Sequence, residues 1–319
     1  MPRQVIIDCD TGTDDALALL LALRSPKFEV VGITCVSGNV SLSHVVNNTL
    51  RIVEHAGKNV PVFAGSATPL NPQPVKDGSD VHGGDGLGGA KLPQPKITAE
   101  KEHAVDYIIR TLMNAKHPMD WITLGPLTNI ALALQKEPRI SKNVRQLTMM
   151  AGGVNAGNVE VMSEFNILID PEAAREVFDS HIPKMMVPLD PLFDGGYLKR
   201  EDQQDIESHV DKPWCRAAGL IFEVTRERVN KVTKKVVMEA GAISPPDLLA
   251  VAAAIDPSIM HVENYFVMVE TKGEYTRGMT VVDRRNYNRG SYPGRKETSV
   301  VMAANQKQYA RLVIDTLCT

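Results

Sequence analysis

Paired cysteines, long apolar runs and a bulk charge of either sign are all missing from this 319-residue chain. The four cysteines, Cys9, Cys35, Cys215 and Cys318, lie far apart in sequence with no CxxC among them. That pattern excludes a disulfide framework and a zinc site of the usual spacing. No apolar run reaches the ~18 residues of a membrane-crossing helix, so no membrane partner is expected. A formal net charge of −3 supplies no field to draw nucleic acid or anionic lipid. The basic stretch "RRNYNRGSYPGRK" (284–296) therefore reads as a surface loop. Aromatic residues are scarce, and the only two tryptophans, Trp121 and Trp214, read as packing residues. Repeats, low-complexity tracts and a charged leader before an apolar stretch are likewise lacking. A cytoplasmic, reducing setting is the expectation.

What is there is an alternation of strands and helices. Val5-Ile6-Ile7 is β-branched and apolar, a buried-strand signal. Asp14 to Leu23 is rich in Ala and Leu and predicts a helix. Strands follow at 29–36, 60–63, 121–124, 146–150 and 184–187, with helices at 41–56, 101–115, 128–136 and 171–179. Two glycine-rich loops interrupt, one holding "HGGDGLGG" (82–89) and one reading "AGGVNAGNVEVMSEFN" (151–166). Residues 199–235 predict helix and carry much exposed charge. A helix at 247–254, strands at 263–271, 277–283 and 297–303, and a helix at 305–317 complete the chain. This rhythm predicts an α/β fold, an open and mainly parallel sheet flanked by helices, formed by one domain over 1–319.

The segment "DCDTGTDDALAL" places Asp8, Asp10, Asp14 and Asp15 within eight positions, with no Lys or Arg among them. Asp8 and Asp10 fall at the carboxyl end of the first strand, where ligands gather in parallel sheets. Asp14 and Asp15 fall in the first turn of a helix, whose dipole offsets a single acid by ~0.3–1 kcal/mol. That does not settle four acids at one mouth, because close like charges disfavour joint ionisation. Either some of them face solvent, or a hard divalent cation binds there. All-oxygen ligands without His or Cys suit Ca²⁺ or Mg²⁺. The haloacid-dehalogenase phosphatase motif also starts with strand–DxDx[TV], but this chain has Gly12 where that motif takes Thr or Val, and the pair Asp14-Asp15 lies outside it.

The same segment resembles the DxDxGxDDAxAL signature of the nucleoside hydrolases, and further matches recur in order. "VSGNV" carries Asn39. "HGGDGLGG" is similar to the family's HGxDGLGG loop. "LGPLTNIALAL" (124–134), "EFNILIDPEAA" (164–174) and "PPDLLAVAAAIDP" around Asp247 resemble three further family segments. The resemblance implies Ca²⁺-dependent hydrolysis of the N-glycosidic bond of ribonucleosides, to ribose and free base, in salvage. It implies that Asp10, Asp15, Asp247 and the Leu124 carbonyl ligate Ca²⁺. It makes Asp10 the general base toward water and Asp14 a catalytic contact to that water and to the ribose 2′-hydroxyl. Asn39, Asn166 and Asp247 are implied at the ribose diol, and Asn158 and Glu164 at the 5′-hydroxyl. Glu164 and Asn166 are read as alternating along an extended run. A homodimer or homotetramer is implied.

Two departures stand out. Where studied relatives carry His or Trp before the last Asp, this chain has Pro246. Where the family pattern reads "PLDVTH", this chain reads "PLDPLF", with Phe193 in place of His. Protonation of the leaving base then falls to another donor, such as one from "FEVTRERVNKVTKK" (222–235), or the substrate has a better leaving group. The alternative reading is a ribonucleoside-binding relative with weak or no catalysis.

Overall fold

The computed structural model describes residues 1–73, 75–232, 240–285 and 292–319. Strands β1 (Arg3–Cys9), β2 (Phe28–Cys35), β3 (Val62–Ala64), β4 (Met119–Thr123), β5 (Val144–Met150) and β6 (Lys184–Val187) alternate with helices α1 (Thr13–Arg24), α2 (Leu42–His55), α3 (Ser79–His82), α4 (Ala104–Met113), α5 (Thr128–Lys136), α6 (Phe165–Ile169) and α7 (Pro171–Asp179). Helices α8 (Arg200–Ser208), α9 (Pro213–Val232) and α10 (Pro246–Ile255) follow. Strands β7 (Met260–Tyr265), β8 (Val267–Val269), β9 (Thr280–Val282) and β10 (Thr298–Ala304) and helix α11 (Gln306–Cys318) close the chain.

Eight strands form one sheet in the order β3-β2-β1-β4-β5-β6-β10-β7, parallel except for β7, which runs antiparallel to β10 at the edge. The two-residue period of β1 divides its side chains between two cores. Val5, Ile7 and Cys9 face one, built with α1, α2, α10 and α11, and Ile6 faces the other, built with α4, α5 and α7. Leu17 to Leu23 of α1 are all buried. A helix apolar on every side is one enclosed by others, and α1 packs against α2, α9, α10 and α11.

The sequence-based expectations differ from the structure in three places. The run at 199–235 splits at 209–212, because Asp211, Lys212 and Pro213 start a new helix. The run at 263–271 breaks at Phe266, so that β7 stays in the main sheet while β8 leaves to pair with β9. Glu164 and Asn166 do not share an extended run. Glu164 caps α6, accepting from the Asn166 and Ile167 N–H groups, and Asn166 lies in the helix.

Trp121 is fully buried, and Trp214 donates to the Leu317 carbonyl beneath the Arg24 guanidinium. Of the loop at 284–296, residues 286–291 lie outside the described residues. Among the described residues no helix is long and apolar enough to cross a membrane.

Candidate active site

β1 and β4 lie side by side, yet the chain leaving β1 turns toward β2 and the chain leaving β4 turns toward β5. This divergence opens a crevice at the carboxyl ends of the two strands. Asp10 follows β1, and Leu124 follows β4.

Asp10 is fully buried. Its Oδ2 accepts from the Asn39 N–H at 2.7 Å, while its Oδ1 is enclosed with no hydrogen-bond partner. Residue 125 must be glycine, since a Cβ there would stand 2.7 Å from Asp10 Oδ1. Asp15 sits at the third position of α1 and does the capping that Gly12 cannot do. Its Oδ2 accepts from the Gly12 N–H at 2.8 Å and its Oδ1 from the Asp10 N–H at 3.2 Å. The Asn39 amide joins both acids, donating to Asp15 Oδ2 at 3.2 Å and to the Asp10 carbonyl.

Asp247 enters from the first turn of α10 and is buried. Asp14 alone among these acids keeps some exposure, 15% of its side chain, though its Oδ1 is enclosed without a hydrogen-bond partner. Oxygens of Asp14, Asp15 and Asp247 all lie within 4.8 Å of one another. The tightest acid set thus contains Asp14, where the sequence reading named Asp10 beside Asp15 and Asp247; Asp10 is engaged by Asn39.

The electrostatics follow from burial. Burial pushes Asp14 and Asp15 up to about 6, the Asp14 charge adding to the rise at Asp15. Asp10 and Asp247 are held well above the usual carboxylate range, by burial first and then by the other acids. Among the described residues no Lys or Arg forms an ion pair with any of the four. Enclosed, partnerless carboxylate oxygens in an all-oxygen set fit a hard divalent cation.

A consequence is measurable. Because all four acids are raised from the ordinary 3.8, Asp14 and Asp15 to about 6, the folded chain without metal holds protons over that window that the unfolded chain releases. Its stability therefore falls as pH rises through that window. His82, held down to about 4 by burial, acts in the opposite sense, as one group against these four acids and against Asp8 and Glu164, which burial raises to about 7. A cation competes with those protons for the same oxygens. Added Ca²⁺ is expected to raise the melting temperature little near about pH 5 and most above about pH 7, approaching ~2.7 kcal/mol at a hundred-fold excess over Kd. Thermal melts with Ca²⁺ and with EDTA across this range check it. A calcium response independent of pH would show that the acids are not the binding groups.

The remaining residues named from the sequence lie in the segments that follow β5 and β6 and at the start of α10. Asn166 Nδ2 donates to the Leu124 carbonyl at 2.8 Å and to the Met150 carbonyl at 3.1 Å, tying together the ends of β4 and β5. Glu164 is buried, and its carboxylate accepts from the N–H groups of Asn166, Ile167 and Gly152 at 2.8, 3.2 and 2.9 Å. Burial nevertheless raises it to about 7. Asn158 stays exposed on the 151–164 loop, its Oδ1 accepting from the Phe165 N–H at 3.0 Å. Pro246 is the first residue of α10, and Phe193 is 67% exposed at the end of the turn after β6.

Sequence reasoning gave two neighbours of the site no role. Asp8 points to the opposite face of β1 from Cys9, and its Oδ1 accepts from Thr34 Oγ1 and from Asn129 Nδ2, the latter at 2.8 Å. Asn129 also donates to the Cys35 carbonyl and accepts from the Ser66 N–H. This network pins the ends of β1, β2 and β3 beneath the mouth. The signal was present, since Asp8 and Asn129 both stand inside quoted motifs. His82 Nδ1 accepts from the Thr13 N–H at 3.2 Å. Its 3.5 Å approach to Asp14 Oδ1 is no ion pair, because the ring is neutral near pH 7.

Comparison with known proteins agrees with this architecture. Residues 5–311 match the family described as inosine-uridine preferring nucleoside hydrolase. The inosine-uridine preferring nucleoside hydrolase of Leishmania major is 38% identical over 99% of this chain and 98% of its own. The pyrimidine-specific ribonucleoside hydrolase RihA of Shewanella woodyi is 36% identical over 89% of each. The solved purine-preferring ribonucleoside hydrolase from Gardnerella vaginalis superposes with a TM-score of 0.88 at 28% identity, covering 99% of this chain and 98% of its own.

Proposed function

Since this chain belongs to the inosine-uridine preferring nucleoside hydrolase family, and so is a hydrolase of N-glycosyl bonds, we propose that it cleaves ribonucleosides in a Ca²⁺-dependent reaction at the mouth between β1 and β4. The observation that supports this most is the convergence there of Asp10, Asp14, Asp15 and Asp247, with enclosed oxygens and no basic partner among the described residues. In this reading Asp10, Asp15, Asp247 and the Leu124 carbonyl hold the ion, with Asp14 in reach of it. When bound, such a cation polarises oxygen ligands and makes water a stronger nucleophile at neutral pH.

The chain's own residues supply the rest. Asp10 is the general base. One of its oxygens is fixed by the Asn39 N–H and the other is unengaged, so the acceptor is oriented before substrate arrives. Burial makes it a stronger base than a surface carboxylate. Asp14 orients the attacking water and the 2′-hydroxyl. Asn39, Asn166 and Asp247 hold the 2′,3′-diol. Because Asn166 spends its N–H₂ on the Leu124 and Met150 carbonyls, its Oδ1 is the atom that accepts from the sugar. Asn158 and Glu164 receive the 5′-hydroxyl. A sugar fixed at both ends reacts nearly as an intramolecular partner. The carboxylates stabilise the positive charge that develops on the ribose ring in an oxocarbenium-like transition state.

Relatives differ in the base they are named for, inosine and uridine in one and pyrimidines in another. Release of ribose and base suits salvage in the cytoplasm, with 1–319 acting as one unit within a homodimer or homotetramer. The decisive assay is a panel of ribonucleosides with Ca²⁺ and with EDTA, read by free ribose and free base. Ribose release that EDTA abolishes and Ca²⁺ restores is expected. Tight binding without cleavage would favour the non-catalytic reading, against which the enclosed Asp10 already speaks, since binding alone needs no base.

A further inference from the structure

The loop at 151–164 carries both Asn158 and Glu164, and its position is fixed from outside the main sheet. β8 and β9 form a two-stranded ribbon that rests on α7, with Val267 and Val269 buried there. Arg277, from the turn of this ribbon, grips Glu172 of α7 with two nitrogens at 2.7 and 2.8 Å. The same end of the ribbon holds the loop at two points. Ser163 bridges to Met279 and donates through its hydroxyl to the Arg277 carbonyl at 2.6 Å. Thr280 Oγ1 accepts from the Gly153 N–H at 3.0 Å and donates to the Gly153 carbonyl at 2.6 Å.

Thr280 is only 1% exposed and Gly153 is buried. One hydroxyl therefore satisfies both backbone polar groups of Gly153 away from water. Removing it leaves two enclosed groups unpaired, and the loop gains by moving to where water can reach them. The fit is close on the other side as well. Gly152 has φ +72°, and a Cβ there would stand 2.6 Å from Thr280 Cγ2. The Gly152 N–H is in turn one of the three donors to Glu164. A shift at 152–153 thus reaches the Glu164 carboxylate through a single hydrogen bond. Asp190 anchors the next two residues, accepting from the Val154 and Asn155 N–H groups at 2.7 and 3.1 Å.

We propose that Thr280 is a positioning residue that sets selectivity for a free 5′-hydroxyl, by locking Gly153 and so aiming Glu164 and Asn158 at the 5′ end of the sugar. This rests on the reading that those two residues receive the 5′-hydroxyl. The ribbon acts as a buttress that carries the rigidity of α7 to the substrate loop, and Thr280 is one of its two points of contact.

The test compares a ribonucleoside with its 5′-deoxy analogue in wild type, Thr280→Val and Thr280→Ser, with melting temperatures as a check on folding. Wild type should prefer the 5′-hydroxyl. Thr280→Val keeps the shape and loses the hydroxyl, so kcat/KM for the parent nucleoside should fall about ten-fold, mostly through KM. The 5′-deoxy analogue should be little affected, so the preference collapses. Thr280→Ser restores it. Amide hydrogen exchange at 151–163 should rise in the Val variant and not in the Ser variant. Equal losses on both substrates, or an undiminished preference in Thr280→Val, would overturn the role of Thr280 alone. A wild type indifferent to the 5′-hydroxyl would overturn the assignment of Asn158 and Glu164, and this proposal with it.

Discussion

An Asp10→Asn variant is expected to lose about 10²–10⁴ in kcat, the range that a positioned general base contributes, while still folding. The substitution is nearly isosteric. An Asn carbonyl can accept from the Asn39 N–H as Asp10 Oδ2 does at 2.7 Å, and the space beside Gly125 is unchanged. What disappears is the ability of the enclosed second oxygen to take a proton. The variant also removes one of four negative charges from the mouth, so Ca²⁺ affinity should weaken, and kcat must be read at saturating Ca²⁺. Nucleoside binding, measured by calorimetry under the same conditions, should persist, because Asn166, Glu164 and Asp247 are untouched. Turnover near the wild-type rate with Ca²⁺ in excess would remove Asp10 from the base role and leave it as a ligand or a structural acid.

Parts of this site are legible in the sequence because they rest on local chemistry. Val5-Ile6-Ile7 carries the β-branched signal of a short buried strand, and the Ala-Leu run at 16–23 that of an enclosed helix, so the acids between them fall at a strand end and a helix start. Other parts depend on contacts between distant segments, about which a local pattern is silent. Nothing in residues 277–283 says that Thr280 will meet Gly153, 127 positions away. Nothing near Asp8 says that its carboxylate turns to Asn129 while Asp10, two residues on, turns to Asn39. The extended reading of 164–166 failed for a related reason. Glu164 has a partner in its own carboxylate-to-backbone cap, and capping competes with alternation whenever an acid precedes a short apolar run. The break at Phe266 was hidden because β7 and β8 have the same residue preferences and differ only in which sheet receives them.

A riboside with a self-sufficient leaving group is expected to expose what this site lacks. Pro246, at the first position of α10, has neither a side-chain proton nor an N–H to offer. Phe193 is apolar and faces solvent. Among the described side chains of 222–228, Arg226 is turned to Gln203 and Glu207, and Arg228 to the Asp80 carbonyl; residues 233–235 of the expected donor segment lie outside the described residues. A nitrophenyl riboside leaves as a stable anion without protonation, whereas a nucleobase needs a proton. Its kcat/KM should therefore exceed that of uridine or inosine by about 10²–10⁴, the factor attached to a missing general acid. A Pro246→His variant separates chemistry from binding. The first helical turn needs no N–H partner at that position, so His is tolerated there at little cost. It should speed nucleoside cleavage by about ten-fold or more and leave nitrophenyl riboside cleavage unchanged, since that reaction gains nothing from an acid. If wild type cleaves nucleosides as fast as the nitrophenyl riboside, a donor already acts in this mouth.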